Sequence, residues 1–362
     1  MSPAGACSAC LARAWLLARL AGHLDLVRDR IQPLMELGTP DLIAAVAGRQ
    51  RPQVERELAG FDADAARAGV RAAGLESVCR CADGYPRALA ELAAPPAVVH
   101  VAGGFDRLGA LLEEGPVAIV GARRASPYGL DVARALGRGL AAAGVTVVSG
   151  MATGIDTAAH QGALAAAPAT VAVLPGGADR PYPPSARLLH RRIREGGAVV
   201  SELPPATPVR RWMFPARNRI IAALSAITVV VEAREGSGAL LTARAACELG
   251  RPLGAVPGRI SSPLAAGPHQ LLRSGAQLVA GPQDVLDGLF GVGARTAVPA
   301  RSQTGLAPDL RRLLDALAEG HDTAAALSAA GLPGDRGLAA LASLELAGQI
   351  RREPGGRFSV LV

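Results

Sequence analysis

The chain has 362 residues, half of them hydrophobic, which is too long for one ordinary domain and enough for two or three. Its formal net charge is +7, and all 38 basic residues are arginine. Residues 117–220 contain 13 arginines and 5 acidic residues, a balance of +8, so this one segment carries the whole basic excess. A localised basic field indicates a polyanionic partner and excludes an evenly charged surface.

Residues 1–75 are predicted to form a small N-terminal helical domain of the SAM-like kind, with Gly and Pro between short helices. The apolar residues 11–21 are interrupted by Arg13 and Arg19, which indicates an amphipathic helix and not the core of a signal peptide. No uncharged run approaches the length of a membrane span. We therefore expect a cytoplasmic protein without membrane contact.

Four of the five cysteines form two short motifs, Cys7-x-x-Cys10 and Cys79-x-Cys81. Zinc binding by these four is one interpretation, but the second spacing is tight and the first pair lies where a helix end frays. We therefore predict reduced, partly buried thiols, with no metal and no cofactor.

Residues 76–290 alternate between apolar strands and helices. Strands are predicted at residues 97–101, 117–120, 145–149, 170–174, 198–201, 228–232 and 253–256. Continuous apolar strands separated by helices indicate a parallel sheet that is covered on both faces. The predicted fold class is α/β, with a Rossmann-like, doubly wound parallel sheet.

Residues 291–307 are rich in Gly, Ala, Thr, Ser and Pro and are predicted to be a linker. Residues 308–362 have the pattern of three helices followed by two strands, which indicates a C-terminal winged-helix domain. This domain has 6 arginines and 7 acidic residues, a balance of −1. We therefore favour a protein-docking or structural role for it over contact with duplex DNA.

Unusual residues follow the strands at their carboxyl ends, where open parallel sheets bind ligands. Residues 210–219 combine Trp212 and Phe214 with four arginines, and are predicted to be a surface loop that neutralises phosphates and stacks on bases. The loop after the first parallel strand carries Arg123 and Arg124. After the predicted strand at residues 228–232, residues 237–238 begin a helix whose backbone N–H groups suit phosphate oxygens.

The common nucleotide-binding and catalytic motifs are missing from the sequence. The turn that begins at Gly121 is no dinucleotide fingerprint, and a chain without lysine has no standard P-loop. Asp156 is expected to cap a helix, His160 to be a packed histidine, and Glu202 and Glu232 to orient arginines or loop backbone. Because no acid–base pair, nucleophile elbow or metal set is present, we predict that the protein is not an enzyme.

The motifs of the central region, taken in chain order, resemble those of the DNA-processing protein A (DprA/Smf) family. The motifs are Ile119-Val-Gly-Ala-Arg123, Ser126-Pro-Tyr-Gly129, Ser149-Gly-Met-Ala-Thr-Gly-Ile-Asp156, Phe214-Pro-Ala-Arg-Asn-Arg-Ile220 and Ser237-Gly-Ala-Leu-Leu-Thr-Ala243. The resemblance implies a non-enzymatic protein that binds and protects single-stranded DNA and loads the RecA recombinase during natural transformation.

The resemblance also implies a set of site residues. DNA contacts carried over by motif are Arg123, Arg211, Phe214, Arg217 and Arg219. Residues that the sequence argument adds to the DNA-binding site are Arg124, Ser237 and Gly238. Residues expected to support the site are Asn218, Glu202 and Asp156. The family usually has an arginine where this chain has Thr153, so one contact is missing.

Two other interpretations remain open. Related Rossmann-like phosphoribohydrolases of the lysine-decarboxylase-like group use Pro-Gly-Gly-x-Gly-Thr and a following Glu, whereas this chain continues Pro175-Gly-Gly as Ala-Asp-Arg-Pro. A duplex-DNA regulator acting through the winged helix is disfavoured by the charge of that domain. For the single-strand binder we also expect a homodimer, because a second copy would lengthen the basic track.

Overall fold

The computed structural model describes residues 5–297, 307–318, 320–329, 334–346, 349–353 and 355–360. The chain divides into two compact units, Met1–Val298 and Pro299–Val362. Residues 298–306 of the predicted linker lie outside the described residues. None of the helices in the described ranges is both long enough and apolar enough to span a bilayer.

The first unit begins with short helices, as predicted for residues 1–75. The helices are α1 (Ser8–Arg19), α2 (Ala21–Leu26), α3 (Ile31–Glu36), α4 (Thr39–Val46), α5 (Arg51–Ala59) and α6 (Ala63–Ala72). Leu16, Leu20 and Leu24 recur every four residues and are fully buried, whereas Val27, three residues farther along the chain, is partly exposed. Pro40 occupies the first turn of α4, where its missing N–H has no helical partner to lose.

A sheet of nine strands follows in the described part of this unit. Its elements are β1 (Glu76–Cys79), α7 (Arg87–Ala90), β2 (Val98–Ala102), α8 (Phe105–Leu112), β3 (Val117–Val120), α9 (Pro127–Ala142), β4 (Val147–Ser149), α10 (Ile155–Ala166), β5 (Thr170–Val173), α11 (Arg187–Gly196), β6 (Ala198–Ser201), α12 (Met213–Ala223), β7 (Ile227–Val230), α13 (Gly238–Glu248), β8 (Leu253–Ala255), α14 (Ala266–Arg273), β9 (Gln277–Leu278) and α15 (Pro282–Phe290).

The strand order is β1-β2-β6-β5-β4-β3-β7-β8-β9. Strands β1 and β2 pair antiparallel, β2 pairs antiparallel with β6, and the strands from β6 to β9 pair in parallel. The chain moves outward from β3 to β6 and then returns to place β7 on the other side of β3. The topological switch point therefore lies between β3 and β7. The Rossmann-like, doubly wound fold predicted from the sequence is confirmed.

Both faces of the sheet are covered by helices, and β3 shows how its residues divide between them. Val117 and Ile119 pack into the cluster on one face, with residues of α9 and α10. Ala118 and Val120 pack into the cluster on the other, with residues of α12 and α13. This alternation follows from the two-residue period of a strand. Because each face of β3 packs against helices, all four residues of this strand are apolar.

Residues 210–219 depart from the prediction of a surface loop, because from Met213 onward they form α12. Pro215 lies within the first turn, where a helix tolerates a residue without an N–H. Trp212, immediately before the helix, is 0% exposed and packs with Leu16 and Leu20 of the N-terminal helices. The N-terminal helices thus share one hydrophobic cluster with the beginning of α12, and Trp212 is not available to stack on a base.

The second unit contains α16 (Pro308–Ala318), α17 (Ala324–Ala329), α18 (Gly334–Leu346), β10 (Ile350–Glu353) and β11 (Arg357–Val360). The two strands pair antiparallel, and leucines of the three helices pack with Ile350 and Phe358 of the strands. Three helices followed by a hairpin confirm the predicted winged-helix architecture. Residues 330–333, between α17 and α18, lie outside the described residues.

We expect Trp212→Ala to lower the free energy of unfolding by about 3–5 kcal/mol, because the truncation leaves a cavity between α12 and the N-terminal helices. Urea unfolding followed by circular dichroism measures the change. Ile260→Ala is the control, since Ile260 is 95% exposed and its loss should change stability by less than about 0.5 kcal/mol. A Trp212→Ala protein as stable as the control would contradict this packing.

Candidate nucleic-acid interface

A cleft of about 270 Å³ lies at the switch point, at the carboxyl ends of β3 and β7. The loops after β3, β4 and β7 and the first turns of α12 and α13 form its walls. Site residues predicted from the sequence that line it are Arg123, Asp156, Phe214, Arg217, Asn218, Ser237 and Gly238. Open α/β sheets bind ligands in this kind of crevice.

Phe214 is half-buried in the cleft wall and has a cation and a second ring beside it. The Arg123 guanidinium carbon lies 4.5 Å from the centroid of the Phe214 ring. The Tyr182 ring lies 5.5 Å from Phe214, centroid to centroid, at an interplanar angle of 59°. Cation and tilted aromatic pairs of this geometry are favourable, and together they form a platform for a planar base. Tyr182 was not among the predicted site residues, although its position after β5 was a signal for it.

Exposed arginines accompany this platform. Arg123 and Arg124 lie in the loop after β3, and Arg210 and Arg211 lie immediately before α12. None of the four forms a salt bridge with any residue that the structure describes. Their charges are therefore available to phosphate groups.

Arg217 forms part of the cleft wall but is not a surface residue. It is 5% exposed, and its Nη1 donates a hydrogen bond of 2.5 Å to the carbonyl oxygen of Val173. Burial lowers the pKa of Arg217 to about 10, against the opposing effect of Asp156, so the guanidinium remains charged at neutral pH. A Cβ atom at Gly150 would overlap the guanidinium, which explains the glycine. The expectation that Arg217 belongs to a surface loop is corrected.

Asp156 also differs from its predicted role. It lies in the first turn of α10, whose N-cap residue is Gly154. One Asp156 carboxylate oxygen accepts hydrogen bonds from the backbone N–H groups of Gly150 at 3.2 Å and Ala152 at 3.4 Å. Burial raises the pKa of Asp156, and the Arg217 charge opposes this effect. The carboxylate therefore holds the loop after β4 beside Arg217 and does not cap the helix.

The surroundings of Arg219 argue against a contact between this residue and DNA. Its Nη2 lies 2.6 Å from a carboxylate oxygen of Glu202, and the two residues are 4% and 7% exposed. A guanidinium enclosed in such a pair has no free face for phosphate, so the predicted contact at Arg219 is corrected to a structural ion pair. The expectation that Glu202 orients an arginine is confirmed. The pair ties α12 to the end of β6.

The first turn of α13 completes the cleft. Ser237 is the N-cap residue, and Gly238 is exposed. Asn218 donates a hydrogen bond of 3.1 Å from Nδ2 to the Gly238 carbonyl, which joins α12 to α13. The Ser237 hydroxyl oxygen and the Nε atom of Arg217 are buried and have no hydrogen-bond partner among the described residues. The helix N-terminus and these unsatisfied donors suit an anionic ligand.

The two remaining candidates for acid–base chemistry have structural roles. Glu232 accepts hydrogen bonds from the hydroxyl of Ser126 at 2.6 Å and its backbone N–H at 2.9 Å, so it holds the loop after β3. His160 is fully buried, with Nδ1 2.7 Å from the Thr170 hydroxyl. Burial lowers the pKa of His160 to about 3. Both agree with the roles predicted for them.

Four cysteines come together in the structure, although their spacing argued against it. The Sγ atoms of Cys7, Cys10, Cys79 and Cys81, the four-cysteine cluster, all lie within 4.8 Å of one another. Cys7 is the N-cap residue of α1, and Cys10 lies in the first turn of that helix. This cluster is the group in the described residues that could hold a metal ion.

Comparison with known proteins places the chain in a family. The family model of the DNA recombination-mediator protein A matches residues 76–290, and that of the DprA winged helix domain matches residues 297–356. Protein Smf of Escherichia coli (strain K12) is 40% identical over 267 residues, which cover 69% of this chain and 71% of that protein. The DNA processing protein DprA of Bacillus subtilis (strain 168) is 34% identical over 263 residues, covering 71% and 84%.

Two solved structures extend the comparison to three dimensions. That of DNA processing protein A from Streptococcus pneumoniae has a TM-score of 0.62 at 32% identity and covers 77% of this chain and 96% of its own. That of DNA processing protein A from Helicobacter pylori, reported for its single-stranded DNA binding mode, has a TM-score of 0.53 at 30% identity, covering 59% and 95%. Because the first family model matches more than half of this chain, the chain belongs to the DprA/Smf family of DNA recombination-mediator proteins.

Proposed function

We propose that this protein binds single-stranded DNA in and around the switch-point cleft, protects it during natural transformation, and passes it to the RecA recombinase. The observation that carries the proposal is the position of Phe214 in the wall of the cleft, where its ring contacts the Arg123 guanidinium and the Tyr182 ring. Single-strand binding sites combine such an aromatic platform with a basic track. The binding mode reported for the Helicobacter pylori relative supports the same substrate.

The residues divide into three roles under this proposal. Phosphates are bound by exposed arginines and by the start of α13, through Arg123, Arg124, Arg211, Ser237 and Gly238. Bases stack on Phe214, with Tyr182 beside it. The buried Arg217 forms part of the cleft wall, where the Asp156 carboxylate opposes its charge. Structural support comes from Arg219, Asn218, Glu202 and Asp156.

We propose binding and not catalysis. Glu202 and Glu232, the carboxylates that end β6 and follow β7, are both engaged in structural hydrogen bonds. In the loop that resembles the start of the phosphoribohydrolase motif, Asp179 accepts hydrogen bonds from the Ala206 N–H at 2.9 and 3.1 Å. That carboxylate therefore holds the loop, and nothing in the geometry favours the hydrolase alternative.

The expected preference is for single strands over duplex, with little dependence on sequence, because the platform needs exposed base faces. Fluorescence anisotropy with labelled single-stranded and duplex oligonucleotides of one sequence, at two salt concentrations, measures it. The log–log salt slope should be about −0.7 per phosphate contact. Equal affinity for duplex, or affinity independent of salt, contradicts the proposed site. Strands long enough for two clefts should bind more tightly if the protein is a homodimer.

Arg123→Ala and Arg211→Ala should weaken single-strand binding and leave the melting temperature nearly unchanged, because both side chains are exposed. Phe214→Ala should cost about 1–3 kcal/mol of binding free energy if its ring stacks on a base. Anisotropy titrations and thermal melts on the same samples measure both quantities.

The matched control for these variants is Arg273→Ala. Arg273 is exposed in the last turn of α14, at the amino edge of the parallel strands and so opposite the cleft. Its loss removes the same charge and should reduce affinity far less than Arg123→Ala does. Equal losses would mean that net charge, and not the cleft, determines binding. Arg217→Ala is a poor probe, because removal of a buried hydrogen-bonded guanidinium should also lower the melting temperature.

The proposed transfer of DNA to RecA rests on the winged-helix unit, which is expected to add little to strand binding. The winged-helix unit has a charge of −1 over residues 308–362, so it suits a protein partner better than DNA. We expect this protein to accelerate RecA filament assembly on DNA pre-coated with single-strand-binding protein. Removal of the unit after residue 298 should abolish the acceleration and retain strand binding. Absence of acceleration with the cognate recombinase at every concentration would leave a plain single-strand binder.

A further inference from the structure

The four-cysteine cluster is assembled from two distant parts of the sequence. Cys7 and Cys10 lie at the start of α1, whereas Cys79 ends β1 and Cys81 follows it in the next turn. More than sixty residues of chain separate the two pairs. Because the fold itself brings the four thiols together, their proximity is not a consequence of local spacing.

The distances fit a metal site better than disulfides. The Sγ atoms of Cys10 and Cys81 are 3.7 Å apart, and all four Sγ atoms lie within 4.8 Å of one another. A tetrahedral ion with bonds of about 2.3 Å to sulfur places its ligands about 3.8 Å apart. A disulfide requires about 2.05 Å, and all five cysteines are free.

The surroundings also suit thiolate ligands. The backbone N–H of Cys7 donates a hydrogen bond to the Sγ of Cys79 at 3.4 Å. Hydrogen bonds of this kind stabilise the negative charge that four thiolates leave on a divalent ion. Arg67 donates two hydrogen bonds of 3.2 Å to the carbonyl of Ala6, which fixes the chain just before Cys7.

We propose that the four-cysteine cluster binds one zinc ion in a closed, structural site that fastens α1 to the edge strand β1. Four thiolates and no open position are characteristic of structural zinc. A metal would strengthen a weak contact. The hydrophobic cluster between this end of α1 and the sheet consists mainly of small side chains, among them Ala6, Ala14 and Ala97. Little apolar area is buried there, and a metal would supply the missing stability.

The first test is metal content. The full-length protein, produced in zinc-supplemented medium and dialysed without chelator, should contain one zinc ion per chain by plasma mass spectrometry. Cobalt substitution should give the strong visible bands of a tetrahedral thiolate site. Cys81→Ser should reduce the bound zinc at least tenfold, and Cys81 is chosen because it is exposed and its substitution disturbs packing least. Cys247→Ser is the matched control, as Cys247 is also exposed and outside the cluster, and it should retain the full zinc content.

The second test keeps the proposal falsifiable if a serine variant does not fold. In the wild-type protein a thiol reagent should modify Cys247 rapidly and the other four thiols only after a chelator is added. The chelator should also lower the melting temperature of the wild-type protein, and added zinc should restore it. Metal-free protein from zinc-replete cells with five reactive thiols, or peptide maps with disulfides among the four, would overturn the assignment.

Discussion

The cleft depends on the burial of one positive charge, that of Arg217, at the carboxyl edge of the sheet. A guanidinium removed from water must be hydrogen-bonded and balanced, and here the Val173 carbonyl and the neighbouring Asp156 carboxylate do this. The space for it exists because Gly150 has no side chain. The loop after β4, the end of β5 and the position of α12 are therefore determined together, and a shift in one would leave the charge unpaired.

The same constraint explains why the N-terminal helices matter to a site that they do not line. Trp212 is buried among their leucines, one residue before α12 begins, and Asp25 accepts a hydrogen bond of 3.0 Å from its backbone N–H. The helix that carries Phe214 and Arg217 into the cleft is thus anchored at its start by the N-terminal part. Farther along, the Arg219–Glu202 pair and the Asn218 amide hold it to β6 and α13. The helix positions the platform by contacts with three separate elements.

The sequence predicted the sheet well, because a strand buried on both faces is apolar at nearly every position, as all four residues of β3 are. It missed β1 and β9, since β1 is partly exposed and β9 has only two residues. The error over residues 210–219 has a compositional cause. In a chain without lysine, arginine serves both the surface and the interior, so a run of arginines does not by itself indicate a loop. The four cysteines could not be joined from spacing alone, since their proximity depends on the docking of α1 against β1.

Two buried donors in the cleft wall, the Ser237 hydroxyl and the Nε atom of Arg217, have no acceptor among the described residues. Leaving a buried polar group unpaired costs about 1–3 kcal/mol, and more when the group is charged. A strand that places phosphate oxygens within reach of these two atoms would supply acceptors that the described residues do not offer. Part of the affinity for a strand would then come from these hydrogen bonds, without any contact to the bases. Such a gain would be the same for every nucleotide, as the proposed binding without sequence preference requires.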